Sequence, residues 1–161
     1  MRSLWLALAA LTVLAGCAPK SKVLPEEAVE FRAFRRIGAS PFGDKTGRGP
    51  QVAVAIEAAL EGAGYEPVDH KELLKVLEEH KPDRELGLGI EALELLRTKV
   101  GADAVVFGRM APDWSFATVT LVEGETGNSV LHAIMRPRKG KAFASPDDVG
   151  AEFVRILSKL K

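Results

Sequence analysis

Gly38 and Gly43 are followed by Lys45-Thr46, close to the spacing with which a Gly-x4-Gly-Lys-Ser/Thr loop wraps phosphates in backbone N–H groups and a lysine. Two features oppose that chemistry. Asp44 separates Gly43 from Lys45, breaking the spacing and placing a negative charge where phosphate would sit, and Pro41 removes a donor from the cradle. The stretch GASPFGDKTGRG therefore reads as a turn that presents Asp44, Lys45, Thr46 and Arg48 to solvent, with no nucleotide bound. Three histidines, His70, His80 and His132, invite a metal. His70 and His80 do not have the i, i+4 spacing of a helical ligand pair, and His132 alternates with Val130 and Ile134 on a strand pattern, so no metal is expected. Glu78, Glu79, Glu91, Glu94, Asp147 and Asp148 fall on helix faces or caps, where solvation and capping account for them. No serine has a nucleophile-elbow context. No cofactor and no enzyme activity are expected.

The one position with a covalent chemistry of its own lies near the start. Arg2 and the apolar run Leu4 to Ala15 have the form of a secretory leader, too short for a membrane span of about 20 residues. The ending Leu14-Ala15-Gly16-Cys17 resembles a bacterial lipobox. That resemblance implies cleavage between Gly16 and Cys17 and acylation of Cys17, the only cysteine in the chain. One myristoyl-sized chain anchors marginally, at about 0.8 kcal/mol per buried CH₂, so two or three chains would hold the protein firmly. Ala18 follows the cysteine, where Asp is the inner-membrane retention signal. The resemblance thus implies the outer membrane, lipid-anchored and facing the periplasm, a compartment without an ATP pool.

Three segments follow from this reading: residues 1–16 as signal peptide, 17–30 as lipidated cysteine and tether, and 31–161 as one domain. Beyond residue 16, 21 basic residues face 22 acidic ones, so no basic surplus supports nucleic-acid binding. Roughly 145 residues suffice to bury a two-layer core.

The elements that would position these residues are legible from periodicity. Phe31 to Phe42 reads as a first strand. Pro50 suits the start of a helix, in which Val52, Ala55, Ile56, Ala59, Leu60 and Ala63 make one apolar face before Gly62 and Gly64 end it. Tyr65 to Val68 reads as a short strand. Asp69 caps a second helix with Leu73, Leu74, Val76 and Leu77 inward. A third helix runs from about Ile90 with Leu93, Leu96 and Val100 in phase, terminated by Gly101. Ala104 to Gly108 is apolar throughout, as in a strand covered on both faces. Phe116 to Val122 alternates, and Ser129 to Met135 pairs back across a Glu-Thr-Gly turn. Ser145 opens a last helix striped by Val149, Phe153, Ile156, Leu157 and Leu160. The order β-α-β-α-α-β-β-β-α predicts an α/β sandwich with a mixed sheet, parallel early and an antiparallel meander late.

In that order, "PFGDKTG", "GYEPVDHKELLKVLEEH", "GADAVVFGRM" and "VTLVEGETGNSVLH" resemble the curli-secretion lipoprotein (CsgG-like) family and relatives such as the LpoB-type penicillin-binding-protein activators. His70 departs from the arginine common in the family, and no role is carried over to it. The resemblance implies a non-enzymatic adaptor or accessory protein held at the membrane by its lipid, binding an envelope protein partner such as a peptidoglycan synthase or a secretion or assembly component. Self-association is left open. A subunit of a CsgG-like secretion apparatus and an envelope enzyme with an unrecognised site are the alternatives. Candidate surface contacts are Asp44, Lys45, Arg48, Trp114 and the basic cluster Arg136, Arg138, Lys139 and Lys141, the last four suited to anionic headgroups or an acidic partner.

Overall fold

A computed structural model of the protein describes residues 21–25, 34–81 and 88–160. Five strands form one mixed sheet in the order β1-β5-β4-β3-β2. They are β1 (Lys22–Pro25), β2 (Ile37–Ala39), β3 (Ala104–Met110), β4 (Ala117–Glu123) and β5 (Ser129–Met135). The helices are α1 (Gly49–Gly62), α2 (His70–Glu79), α3 (Ile90–Leu95), continued by a π-helical turn (Leu96–Val100), and α4 (Pro146–Leu160). β2 and β3 are parallel, and β3-β4-β5 is an antiparallel meander. This is the expected α/β sandwich.

Alternation decides which side chains go inward. Ala104, Val106 and Met110 of β3, Ala117, Val119 and Leu121 of β4, and Leu131, Ala133 and Met135 of β5 join Val52, Ile56 and Leu60 of α1 and Val149, Phe153, Ile156 and Leu157 of α4 in one buried core. On the opposite face Val105 packs with Leu73, Val76, Leu77, Leu93 and Leu96 of the other helices. That second layer covers β3 but stops there. Thr118, His132 and Ile134 on the same face of β4 and β5 are exposed.

Helix starts follow their sequence signals. Pro50 occupies the first turn of α1. The Asp69 carboxylate accepts the Glu72 N–H at 3.1 Å. Asp148 accepts the N–H groups of Ala144 and Ser145, both at 3.1 Å, while Ser145 Oγ accepts from Asp148 N–H at 3.3 Å. Gly101, in the left-handed region at φ 69°, ends the π-helical turn.

Three expectations need correction. The first strand is three residues long where the pattern predicts Phe31 to Phe42, although residues 31–33 lie outside the described residues. The strand at Tyr65 to Val68 contracts to a single bridge between Arg36 and Glu66, because Pro67 has no N–H with which to continue pairing. Conversely, Lys22–Pro25, within the stretch that reads as tether, pairs antiparallel with β5 from Lys22 opposite Ile134 to Pro25 opposite Leu131.

Candidate functional site

Strand register brings the charged candidates to one end of the sheet. Met110, Ala117 and Met135 are cross-strand partners, so the ends of β3 and β5 and the start of β4 share a pole. Gly43 bridges Arg109, with Gly43 N–H donating to Gly108 C=O at 2.9 Å and Met110 N–H donating to Gly43 C=O at 2.8 Å. The 44–48 loop is thereby fixed at the same pole. The 136–145 segment leaves β5 there and enters α4.

Trp114 joins the two loops. Its sequence context makes core packing the commoner fate and a surface contact the alternative; the contact is corrected, since Trp114 is 3% exposed and belongs to the main core. The turn Ala111-Pro112-Asp113-Trp114 closes with Trp114 N–H on Ala111 C=O at 2.9 Å, and Trp114 C=O accepts from Phe143 N–H at 2.9 Å. Its indole N–H donates to Asp44 Oδ1 at 3.3 Å, and the Arg48 guanidinium lies 3.6 Å from the ring centroid. Trp114 is also the single non-glycine residue with positive φ, 58°, among the described residues. A bulky side chain stays in that region only where its surroundings over-determine it.

Asp44 is consumed inside its own loop. Its Oδ2 accepts the Arg48 N–H at 2.8 Å and the Thr46 hydroxyl. Burial pushes its carboxyl up, but hydrogen bonds from Thr46, Arg48 and Trp114 outweigh that and hold it below the ordinary aspartate range. A donor that a phosphate would require is therefore occupied by a carboxylate of the same loop. Lys45 remains exposed. Across the pole, Arg136 stands 5.7 Å from the Phe116 ring centroid, while Arg138, Lys139 and Lys141 are exposed. Gly16 and Cys17 lie outside the described residues.

A second constellation has no counterpart among the sequence candidates. Glu152 is 2% exposed on α4 and receives Ser21 Oγ–H at 2.6 Å and Arg155 Nε–H at 2.7 Å. Arg155 also reaches it through a second guanidinium nitrogen. Ser21 Oγ in turn accepts the Arg136 N–H at 3.0 Å. Burial pushes the Glu152 carboxyl up, yet the hydrogen bonds from Arg155 and Ser21 and the charges of Arg155 and Arg138 prevail and lower it. A cleft of about 710 Å³ lies between the basic loop and α4, its walls including Arg138, Lys139, Phe143, Asp148, Glu152 and Arg155. The sequence sign of this cluster is a carboxylate at 152 beside the apolar stripe, with Arg155 one turn on.

Replacing Glu152 with Gln is expected to cost about 1–2 kcal/mol at neutral pH, since Arg155 is left partly rehydrated and Ser21 loses a charged acceptor. Because the folded carboxyl titrates below its unfolded value, its stabilisation is present above the ordinary glutamate range and lost as pH falls through the lowered one. Urea unfolding should show the deficit in full at pH 7, shrinking as pH falls below the ordinary glutamate range and vanishing only once the lowered folded carboxyl is protonated as well. A deficit that does not vary with pH would remove Glu152 from this role.

The histidines do not converge. His70 Nδ1 lies 2.7 Å from Glu57 Oε2, whose other oxygen accepts the Ala39 N–H at 2.9 Å. His80 faces Glu91 at 3.9 Å. His132 meets Thr120 at 2.9 Å and Ser129 at 3.1 Å. Among the described residues, no three His, Cys, Asp or Glu side chains stand together as metal ligands, and no helix is long and apolar enough to cross a membrane.

No protein-family model matches the sequence, and no curated protein sequence matches it. Solved structures do. A PelC dodecamer from Paraburkholderia phytofirmans superposes at a TM-score of 0.52 with 14% identity, covering 88% of this chain and 96% of that one. The lipoprotein GNA1162 from Neisseria meningitidis gives 0.45 with 20% identity over 78% of this chain and 96% of its own. Escherichia coli LpoB, determined by NMR, gives 0.44 with 14% identity over 63% of this chain and 56% of its own. At such identities the PelC likeness establishes a shared fold spanning nearly the whole of that chain.

Proposed function

We propose that this protein is a lipoprotein anchored through Cys17 in the outer membrane, facing the periplasm, and that it acts there as a non-enzymatic accessory subunit binding an envelope protein. The observation that carries the reading is Gly16-Cys17 at the end of a leader-like apolar run. The α/β domain that follows is consistent with it, and the polar groups described above are engaged in capping, loop closure and ion pairing. Tethering raises the effective concentration of such a module near its partners without any catalytic step. The dodecameric PelC of the same fold supports self-association as a second reading, in which the partner is another copy and the assembly serves secretion.

Radiolabelled palmitate should enter the protein in its host and should be absent from the Cys17→Ala variant. Crosslinking in intact cells followed by solubilisation should recover either a defined envelope protein or a ladder of self-adducts. An unmodified thiol at residue 17 refutes the anchor. Labelled protein that crosslinks to nothing refutes the accessory role.

A further inference from the structure

We propose that the pole bearing Arg138, Lys139 and Lys141 rests on anionic phospholipid headgroups and so sets the orientation of the domain on its membrane. The inference depends on acylation of Cys17 as argued above. Its own observation is where the described chain begins. Ser21 is hydrogen-bonded to Glu152 and to the Arg136 backbone, at the pole from which the basic loop projects. Cys17 precedes it by four residues, a reach of at most about 14 Å. An acyl anchor there brings this end of the sheet to the membrane, and the far end is a strand length of about 20 Å away.

The basic loop has no acid of its own. The stretch from Arg136 to Ala144 contains four cations and no acid, whereas at the far pole charges are mixed, Glu125 sharing a groove with Glu94 and Arg97. Arg138, Lys139 and Lys141 make no ion pair among the described residues. Of the carboxylates at this pole, Asp44 and Asp148 accept N–H groups of their own loops, Asp113 accepts from Ser115, Glu152 is bonded by Arg155 and feels the charge of Arg138, and Asp147 is exposed. The loop is also held in place. Phe143 is buried and donates its N–H to Trp114, and Gly140 makes the turn at φ 77°. Cations on a fixed loop within about a Debye length of an anionic surface are only weakly screened.

The test uses lipidated protein extracted from its host. Acylated Cys17 carries no free thiol, so a fluorophore can be placed on Lys139→Cys or, at the far pole, on Glu125→Cys. Each is reconstituted into phosphatidylethanolamine vesicles containing phosphatidylglycerol, or into phosphatidylcholine vesicles, with a trace of headgroup-nitroxide lipid. Strong quenching at position 139, little at 125, and loss of the difference in phosphatidylcholine or at high salt are expected. Near an anionic surface each cation shifts the balance about fivefold, so Arg138→Gln with Lys141→Gln in the Lys139→Cys background, against Lys139→Cys alone, should lower the docked-to-undocked ratio about 25-fold. These positions are exposed, and an unchanged unfolding midpoint verifies the fold. Equal quenching at 139 and 125 in palmitate-labelled protein overturns this proposal alone. Quenching at 139 that is indifferent to lipid charge overturns it too, as does burial of 139 by a crosslinked protein partner instead of lipid. Protein without palmitate removes the anchor and this inference together.

Discussion

Trp114→Ala is expected to lower the unfolding free energy by about 3–5 kcal/mol, the range for deleting a fully buried aromatic side chain. For a domain of this size that is a fall in Tm of roughly 10–15 °C, seen in urea as a lower midpoint with an unchanged slope. The ring fills core space between Asp44, Arg48 and the Phe143 segment, so its loss opens a cavity and releases both charged loops. Trp114→Phe separates these contributions. It keeps most of the ring and loses the indole N–H to Asp44, for which about 1 kcal/mol is expected. The φ of 58° supplies a sharper check. Glycine ordinarily costs more than alanine because it loses more backbone freedom on folding. At a left-handed position alanine carries a strain of about 1–2 kcal/mol that glycine does not. Trp114→Gly should therefore be no worse than Trp114→Ala. Markedly greater damage from glycine would show that the left-handed turn is not what holds the indole in the core.

The difference between what periodicity reveals and what it conceals has a physical basis. The apolar run Ala104 to Gly108 and the alternation from Phe116 onward locate the meander because burial there is decided residue by residue along one strand. Asp69 and Ser145 announce α2 and α4 because a cap is a contact within four residues. β1 carries no comparable signal. Four residues of Lys-Val-Leu-Pro become a strand only because β5 offers them an edge. The π-helical turn after α3 is equally silent, since the buried residues Leu93, Leu96 and Val100 keep the three- and four-residue spacing of an ordinary helix. The site follows the same division. Arg136 to Lys141 is visible as a charge cluster, and the 44–48 loop as turn chemistry. Their meeting depends on Trp114, 70 positions from Asp44, and no spacing rule reaches that far. Read alone, an aromatic before a strand is more often core than docking surface, but which loops it joins is a tertiary fact. Glu152 escapes a sequence reading for a related reason, because its partner Ser21 is 131 positions away.

Gly150→Val is expected to be the other most damaging change, at about 3 kcal/mol or more. Gly150 lies on α4 where it meets α1, and a Cβ there would stand 2.5 Å from the Ala55 carbonyl oxygen and 3.2 Å from Ala59 Cβ. The obstacle is helix backbone, which cannot rotate away as a side-chain end can. α1 and α4 would have to separate, and both contribute to the main core. Helix propensity predicts the opposite sign, since Gly to Ala within a helix gains about 1 kcal/mol when nothing is in the way. Gly62, in the last turn of α1, has nothing within 4 Å of its hypothetical Cβ. Gly62→Ala should therefore stabilise by up to about 1 kcal/mol while Gly150→Ala destabilises. If both alanine variants unfold at higher urea than the parent, the two helices are not in backbone contact at Gly150. A tight contact has a further consequence. Glu152 follows by two residues, so forcing α4 outward should also loosen its grip on Ser21 and weaken the dependence of stability on pH that Glu152 confers.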